Sequence, residues 1–490
     1  VLQTLDGNGL LHQQVYRAVR TSILSGKMRK GVRLPSTRSL GRQLGISRTT
    51  ILNAYEQLVS EGYLTGRPGS GTYVSPAIPD QMIAMPMPRN DEMVRRPLKP
   101  RKLSSYAKRI LDISPSSSAI SASMARPLAY NFQYAHMSIE NFPFRMWSSL
   151  VMRRIRNSTP DYNTPAGSRE LRNAIVDLLL RSRGVVCEPD QVIVVNGAQQ
   201  GIDLAVRVLI DPGDSIAIEE PHPVSAREVM LSAGVKLVPI PVDEHGMQVS
   251  DLPVRGHGAK AVYVTPSHQF PTGATLSLER RTQLLAWAER TGAYIIEDDV
   301  DGEYRYVDSP TESLQGMDRS DSVIYVGSFS RAIFPALRMG YIVVPKSLVK
   351  IFRDAKWLAD RHSVSLVQDV LADFLKDRHF DHYLRRVRAR NERRRAALLD
   401  ALNENFGNGA IVFGSEAGIH VMVCMAKVSL KTVDELIQKA AAAGVGIYST
   451  AVNYLRTPPR AELMLGYAAM PEPSIRVGIG ILRQCVEGLA

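Results

Sequence analysis

Residues 128–490 carry six short apolar runs: Val192-Ile-Val-Val195, Ser215-Ile-Ala-Ile218, Ala261-Val-Tyr-Val264, Tyr294-Ile-Ile296, Val323-Ile-Tyr-Val326 and Tyr341-Ile-Val-Val344. Each is about four residues long, rich in β-branched side chains and without polar alternation, the pattern of a strand covered on both faces. Helical segments separate them, so the expected architecture is α/β, with a largely parallel sheet between layers of helices. Ligands in such sheets bind in the loops beyond the strand ends, which makes those loops the place to look for chemistry.

A chain of 490 residues exceeds what one core of about 250 to 300 residues supports, so a second domain is expected. Charge locates it. The net charge of +12 divides into an excess of seven over residues 1–76 and five over 77–127, and residues 128–490 are balanced. A basic end of this kind suits a polyanion such as DNA. Cys187, Cys424 and Cys485 have neither disulfide nor metal-ligand spacing, which fits a reducing cytoplasm and gives no expectation of a metal site. No apolar run reaches the roughly 18 residues of a membrane span, and the N-terminus lacks the order of a signal peptide, so a cytoplasmic protein is expected.

In the basic end, Val15, Val19, Ile23 and Leu24 mark the inner face of a first helix. Ser36 can cap a short second helix that Gly45 ends, and a third starts at Ser47 with Ile51, Tyr55, Leu58 and Val59 turned inward. Two helices across a tight turn make a helix-turn-helix, with a helical protein-interaction module as the alternative. Arg48, Thr49 and Thr50 would stand at the N-terminus of the recognition helix, where side chains reach base edges. Residues 66–74 read as a glycine-bearing hairpin, a wing. Residues 77–127 read as a linker, with a basic run at 95–102 and a serine run at 114–118.

The motifs Leu34-Pro-Ser-Thr-Arg38, Ser47-Arg-Thr-Thr50, Ala54-Tyr-Glu-Gln-Leu58, Glu61-Gly-Tyr-Leu64 and Gly69-Ser-Gly-Thr72 together resemble the winged helix of GntR-type transcription regulators. The resemblance implies DNA contacts from Arg38, Ser47, Arg48, Thr49 and Thr50 and from the wing at Gly69 and Gly71. Residues 1–76 are then the DNA-binding domain.

Beyond the linker, Asn196-Gly-Ala-Gln-Gln-Gly-Ile-Asp203 follows one apolar run and opens a helix, a place where backbone N–H groups can hold a phosphate. Thr265-Pro-Ser-His-Gln-Phe-Pro-Thr-Gly273, Glu297-Asp-Asp299 and the Ser328 to Arg338 loop follow three others. Together they resemble the fold-type I aminotransferase half of MocR/GabR-type regulators, with a smaller C-terminal subdomain. The resemblance implies a pyridoxal phosphate site over residues 128–490. Gly197, Ala198, Gln199, Ser328 and Arg338 would cradle the phosphate, and Asp298 would pair with the pyridine nitrogen. Tyr162 would reach across a homodimer interface, and Arg476 in Ser474-Ile-Arg-Val-Gly478 would clamp a carboxylate or, alternatively, form a surface ion pair. His268 and His420 are either ligand contacts or structural.

Three departures bear on chemistry. Arg331 stands where the family has the lysine that forms the internal aldimine, and a guanidinium that stays protonated is no amine nucleophile. Val300 replaces a tyrosine at the cofactor's phenolic oxygen, and Pro223 an aromatic residue on the ring face. Arg331 can instead bind an anion, or pair with Asp298. The expected protein is a DNA-binding transcription regulator whose aminotransferase-like domain senses a small anionic effector without turnover. Its alternatives are a regulator that still holds pyridoxal phosphate, noncovalently or through another lysine, and an active aminotransferase.

Overall fold

The structure is a computed structural model that describes residues 5–67, 69–78, 101–113, 128–134, 137–140, 142–157, 161–253, 258–306 and 312–489. The chain divides into two compact units, Val1–Lys102 and Leu103–Ala490. Most of the basic run at 95–102, and all of the serine run at 114–118, lie outside the described residues.

The first unit is a three-helix winged helix: α1 (Leu11–Leu24), α2 (Thr37–Leu44), α3 (Arg48–Ser60), then β1 (Leu64–Arg67) paired antiparallel with β2 (Gly71–Val74). Its core joins Val15, Val19, Ile23, Leu40, Ile51, Ala54, Tyr55 and Leu58. Leu24 and Val59 are exposed rather than inward-facing: the buried stripe of α1 runs through Val15, Val19 and Ile23, and that of α3 through Ile51, Ala54, Tyr55 and Leu58. Ser36 Oγ accepts from Ser39 N–H (3.2 Å) at the start of α2, and Gly45 ends that helix in the left-handed region (φ 67°). Gly41 is needed for the tight turn itself, since a Cβ there would stand 3.0 Å from the Ile46 carbonyl.

In the second unit, β3 (Tyr130–Asn131) precedes the strands of the main sheet. These are β4 (Val192–Val195), β5 (Ser215–Glu220), β6 (Lys236–Asp243), β7 (Gly246–Met247), β8 (Ala261–Val264), β9 (Tyr294–Asp298), β10 (Val323–Ser328) and β11 (Gly340–Val343). All six apolar runs are strands here. The order is β4-β11-β10-β9-β8-β5-β6-β7. Strands β6, β5, β8, β9 and β10 run parallel, while β11 is antiparallel to both of its neighbours. A C-terminal sheet of β12 (Ala410–Phe413), β13 (His420–Met425), β15 (Tyr448–Ser449) and β16 (Leu463–Gly466) has its own core, and β14 (Val445–Gly446) pairs with β3. The chain thus has a fold-type I aminotransferase-like large domain with a smaller C-terminal subdomain, preceded by a winged helix.

Within the stretch read as linker, Ser105–Ile113 is a helix, packed on the Val224–Ala233 helix, where Arg109 Nε donates to the Ser232 carbonyl (2.8 Å). No helix among the described residues is long and apolar enough to cross a membrane.

Candidate functional site

The parallel strands end on one side of the sheet, and the loops leaving β4, β8, β9 and β10 converge there. Gly197 caps the Ala198–Leu209 helix with φ 82°, which leaves that helix's first N–H groups open to an anion. Arg338 lies beside them: its Nη2 donates to the Asn196 carbonyl (3.0 Å), and a Cβ on Gly197 would stand 2.9 Å from that nitrogen. Ser328 is half-buried at the end of β10 and its Oγ accepts from Ser330 N–H (3.1 Å). Gln199 turns aside, donating to the Ser225 carbonyl (3.2 Å). Behind this cup, Asp360 accepts from Asn196 Nδ2 (2.6 Å) and Gln200 Nε2 (2.8 Å), and its other oxygen pairs with the buried Lys356.

Three consecutive acids leave β9, and their partners sort them. Glu297 accepts from the N–H groups of Leu314 (2.8 Å) and Gln315 (2.9 Å). Asp299 is paired with buried Arg183 (2.6 Å) and accepts from the Tyr325 hydroxyl (2.7 Å). Among the described residues the one side-chain hydrogen bond to Asp298 comes from the Tyr263 hydroxyl, donating at 2.6 Å, which leaves this acid the best placed of the three to meet a ligand. Burial pushes its carboxyl up to about 7, against the pull of Tyr263 and Arg331.

Arg331 is half-buried and stacks its guanidinium on Tyr134, 4.1 Å from the ring centroid, and among the described residues its Nη1 has no hydrogen-bond partner. The direct ion pair with Asp298 considered from the sequence is not among its contacts, although its charge favours ionised Asp298 and Asp301. Val300 offers no polar atom, and Pro223 stands buried at the N-terminus of the Val224–Ala233 helix.

Two other residues fall elsewhere. Arg476 is on a helix, Glu472–Glu487; it is exposed and pairs with Asp400 and Glu404 (both 3.2 Å). The surface ion pair, not the carboxylate clamp, is what the structure contains. Pro473 in the first helical turn and Glu472 at its positive end explain the helix. Tyr162 is 73% exposed, with Arg361 5.0 Å over its ring and the His362 ring 5.9 Å away, and Leu358 (84% exposed) and Val364 are exposed as well. His268 and His420 are both buried, their rings 5.3 Å apart. Sequence reasoning missed Tyr134, Tyr263 and Asp301; Tyr263 sits inside an apolar strand run and reads there as core.

Pyridoxal phosphate can be tested against these residues. The cup at Gly197, Ser328 and Arg338 suits its phosphate, and Asp298 suits its ring nitrogen. Arg331 does not suit its aldehyde, so no covalent step follows from this site.

On the winged helix, Ser47 caps α3 by accepting from Thr50 N–H (3.1 Å), leaving Arg48 and Thr49 exposed at the helix N-terminus and Thr50 half-buried. Arg38 is exposed on α2. Gly69 (φ 71°) lies at the wing tip with nothing within 4 Å of a would-be Cβ. At Gly71 (φ 116°) a Cβ would meet Arg33 Nε at 2.9 Å, so this glycine serves the hairpin's own packing.

A winged helix joined to a fold-type I aminotransferase-like unit is the class these two sites define. The family described as "Aminotransferase class I and II" matches residues 141–482, and "Bacterial regulatory proteins, gntR family" matches 11–74. The chain is 36% identical over 488 residues to the probable rhizopine catabolism regulatory protein MocR of Rhizobium meliloti, covering 99% of this chain and 95% of that one. It is 34% identical to the HTH-type transcriptional regulator TauR of Rhodobacter capsulatus, covering 81% of each. In fold it is similar to the alpha-aminoadipate aminotransferase LysN of Thermus thermophilus, solved with N-(5'-phosphopyridoxyl)-L-leucine (TM-score 0.69, 24% identity, 79% of this chain and 97% of that one). The chain belongs to the MocR-type transcriptional regulators, with a GntR-family helix-turn-helix domain and an aminotransferase class I and II domain.

Proposed function

We propose that this DNA-binding regulator senses a small anionic effector in the cup between Gly197 and Asp298 and does not turn it over. The observation that carries the reading is Arg331: a cation with an unpartnered Nη1 beside a retained phosphate cup, at the position where a catalytic amine would stand. A planar guanidinium gives charge-assisted, bidentate contacts to a carboxylate or phosphate but no Schiff base. Pyridoxal phosphate is itself such an anion, held here without a covalent bond.

DNA is read by Arg48, Thr49 and Thr50 in the major groove, with Arg38 and the Gly69 tip at the backbone. The exposed stretch of Tyr162, Trp357, Leu358 and Val364 is proposed to close a homodimer, giving two winged helices for paired half-sites. Effector binding shifts the population of dimers competent for the operator. The test is fluorescence anisotropy of the full-length protein on the DNA upstream of its own gene, with pyridoxal phosphate as the anionic probe. Salt-sensitive binding that the probe shifts is expected. Sustained amino-group transfer between an amino acid and an oxo acid contradicts the reading.

A further inference from the structure

Three buried side chains from distant segments meet beside the effector site. His268 lies in the loop after β8, Asp301 in the loop after β9, and His420 opens β13 of the C-terminal sheet. One ligating atom of each lies within 4.8 Å of the other two. His420 Nδ1 is 4.0 Å from Asp301 Oδ2. All three residues are at most 1% exposed.

Their hydrogen bonds leave the ligating atoms over. His420 Nε2 faces the Pro271 carbonyl at 2.9 Å; a carbonyl only accepts, so Nε2 carries the proton and the Nδ1 lone pair is turned toward Asp301. Asp301 Oδ2 accepts from the Tyr134 hydroxyl (3.2 Å). Among the described residues His420 Nδ1, Asp301 Oδ1 and both nitrogens of His268 have no hydrogen-bond partner. Buried polar atoms are normally satisfied, so four such atoms at one spot ask for a shared partner.

We propose that His268, Asp301 and His420 bind one first-row divalent cation of the zinc class, which ties the eight-stranded sheet to the C-terminal sheet. Two imidazoles and one carboxylate suit zinc, whereas calcium and magnesium take oxygen ligands. With bonds of about 2.0 Å, ligand atoms around tetrahedral zinc stand roughly 3.3 Å apart, so the cluster closes by about 1.5 Å at most on loading. Three protein ligands leave one position open. Tyr134 is the supporting residue: its hydroxyl orients Asp301 and its ring lies edge-on to His420, centroids 4.7 Å apart. The groups that oppose a cation are Arg331, stacked on Tyr134, and Arg305, near His268. Cysteine spacing gave no hint of this site because no cysteine takes part.

The test uses full-length protein stripped with a chelator, then titrated with zinc against a chromophoric competitor and separately with cobalt. One equivalent per chain is expected, with visible cobalt ligand-field bands. His268→Gln and His420→Gln weaken zinc by at least about a hundredfold, more than a lost supporting contact would. Arg331→Met, which removes an opposing charge, tightens it. Asp301→Asn, which keeps the side-chain shape, guards against misfolding, and each apo variant is checked for an unchanged melting temperature. Absence of stoichiometric binding, or binding that survives both histidine variants, overturns the site. None of these readouts depends on DNA or effector binding, so the regulator reading can stand if the metal site fails.

Discussion

The winged helix and the aminotransferase-like unit carry their charges in opposite ways. Arg38 and Arg48 are exposed on a small domain whose interior is apolar apart from Gln14 and Ser75, and no charged side chain is buried among its described residues. The larger unit buries Glu219, Glu297, Asp298, Asp299, Asp301, Arg183, Arg281 and Lys356, most of them held by specific partners. A surface that reads a polyanion needs only position and charge, because the polyanion supplies the counter-charge. A pocket that reads a small molecule must desolvate charges beforehand, and it shows its purpose by the few it leaves unpaired. Among the described residues, those near the strand-end loops include Arg331 Nη1, Arg305 and the His268, Asp301 and His420 cluster.

That contrast can be broken in several places. The largest effect is expected in the small core: Ile51→Ala removes fully buried atoms beneath the recognition helix and costs about 2–5 kcal/mol, read as early melting of the winged helix by hydrogen exchange. Equal protection of α3 in the variant would show that Ile51 contributes little to that core.

Next is Asp298→Asn. The folded carboxyl titrates at about 7, above its ordinary value of 3.8 in the unfolded chain. The folded state therefore holds a proton that the unfolded state loses between pH 4 and 7, and Asp298 makes the protein less stable as pH rises through that window. The asparagine variant gains on the wild type by roughly 1.4 kcal/mol for each pH unit crossed, levelling off above pH 7. Denaturant melts at pH 4, 5, 6 and 8 check this; a difference independent of pH would mean that Asp298 is held ionised.

Arg48→Ala is expected to lower operator affinity by about 1–3 kcal/mol and to reduce the salt slope. Unchanged anisotropy titrations would remove Arg48 from the interface. The smallest effect is Ser47→Ala, which loses the cap on Thr50 N–H and about 1 kcal/mol of stability, read by denaturant melts.

Legibility followed the same divide. The winged helix was readable because its caps at Ser36 and Ser47, its left-handed Gly45 and its charged face are all local features. Leu24 and Val59 were misplaced, since a helix of apolar composition does not say which of two adjacent apolar residues faces in. The main sheet was readable wherever strands are buried on both faces. β6 escaped because Pro239 and Pro241 break its run, tolerable in a strand whose outer neighbour is only the short β7. The helix Ser105–Ile113 was hidden by its proline- and serine-rich surroundings. The phosphate cup was legible through resemblance, but Tyr134 over Arg331, Tyr263 on Asp298, and the meeting of His268, Asp301 and His420 were not. Those contacts join segments more than thirty residues apart, and local pattern does not encode them.

The central claim is that Arg331 has taken this pocket out of Schiff-base chemistry while leaving the pocket in place. Borohydride reduction of the full-length protein with pyridoxal phosphate, followed by peptide mass mapping, tests it directly, with Arg331→Lys run alongside. The account predicts no stoichiometric adduct on the wild type and one adduct at position 331 in the variant. A stoichiometric adduct on a single lysine of the wild type, Lys356 included, would contradict it.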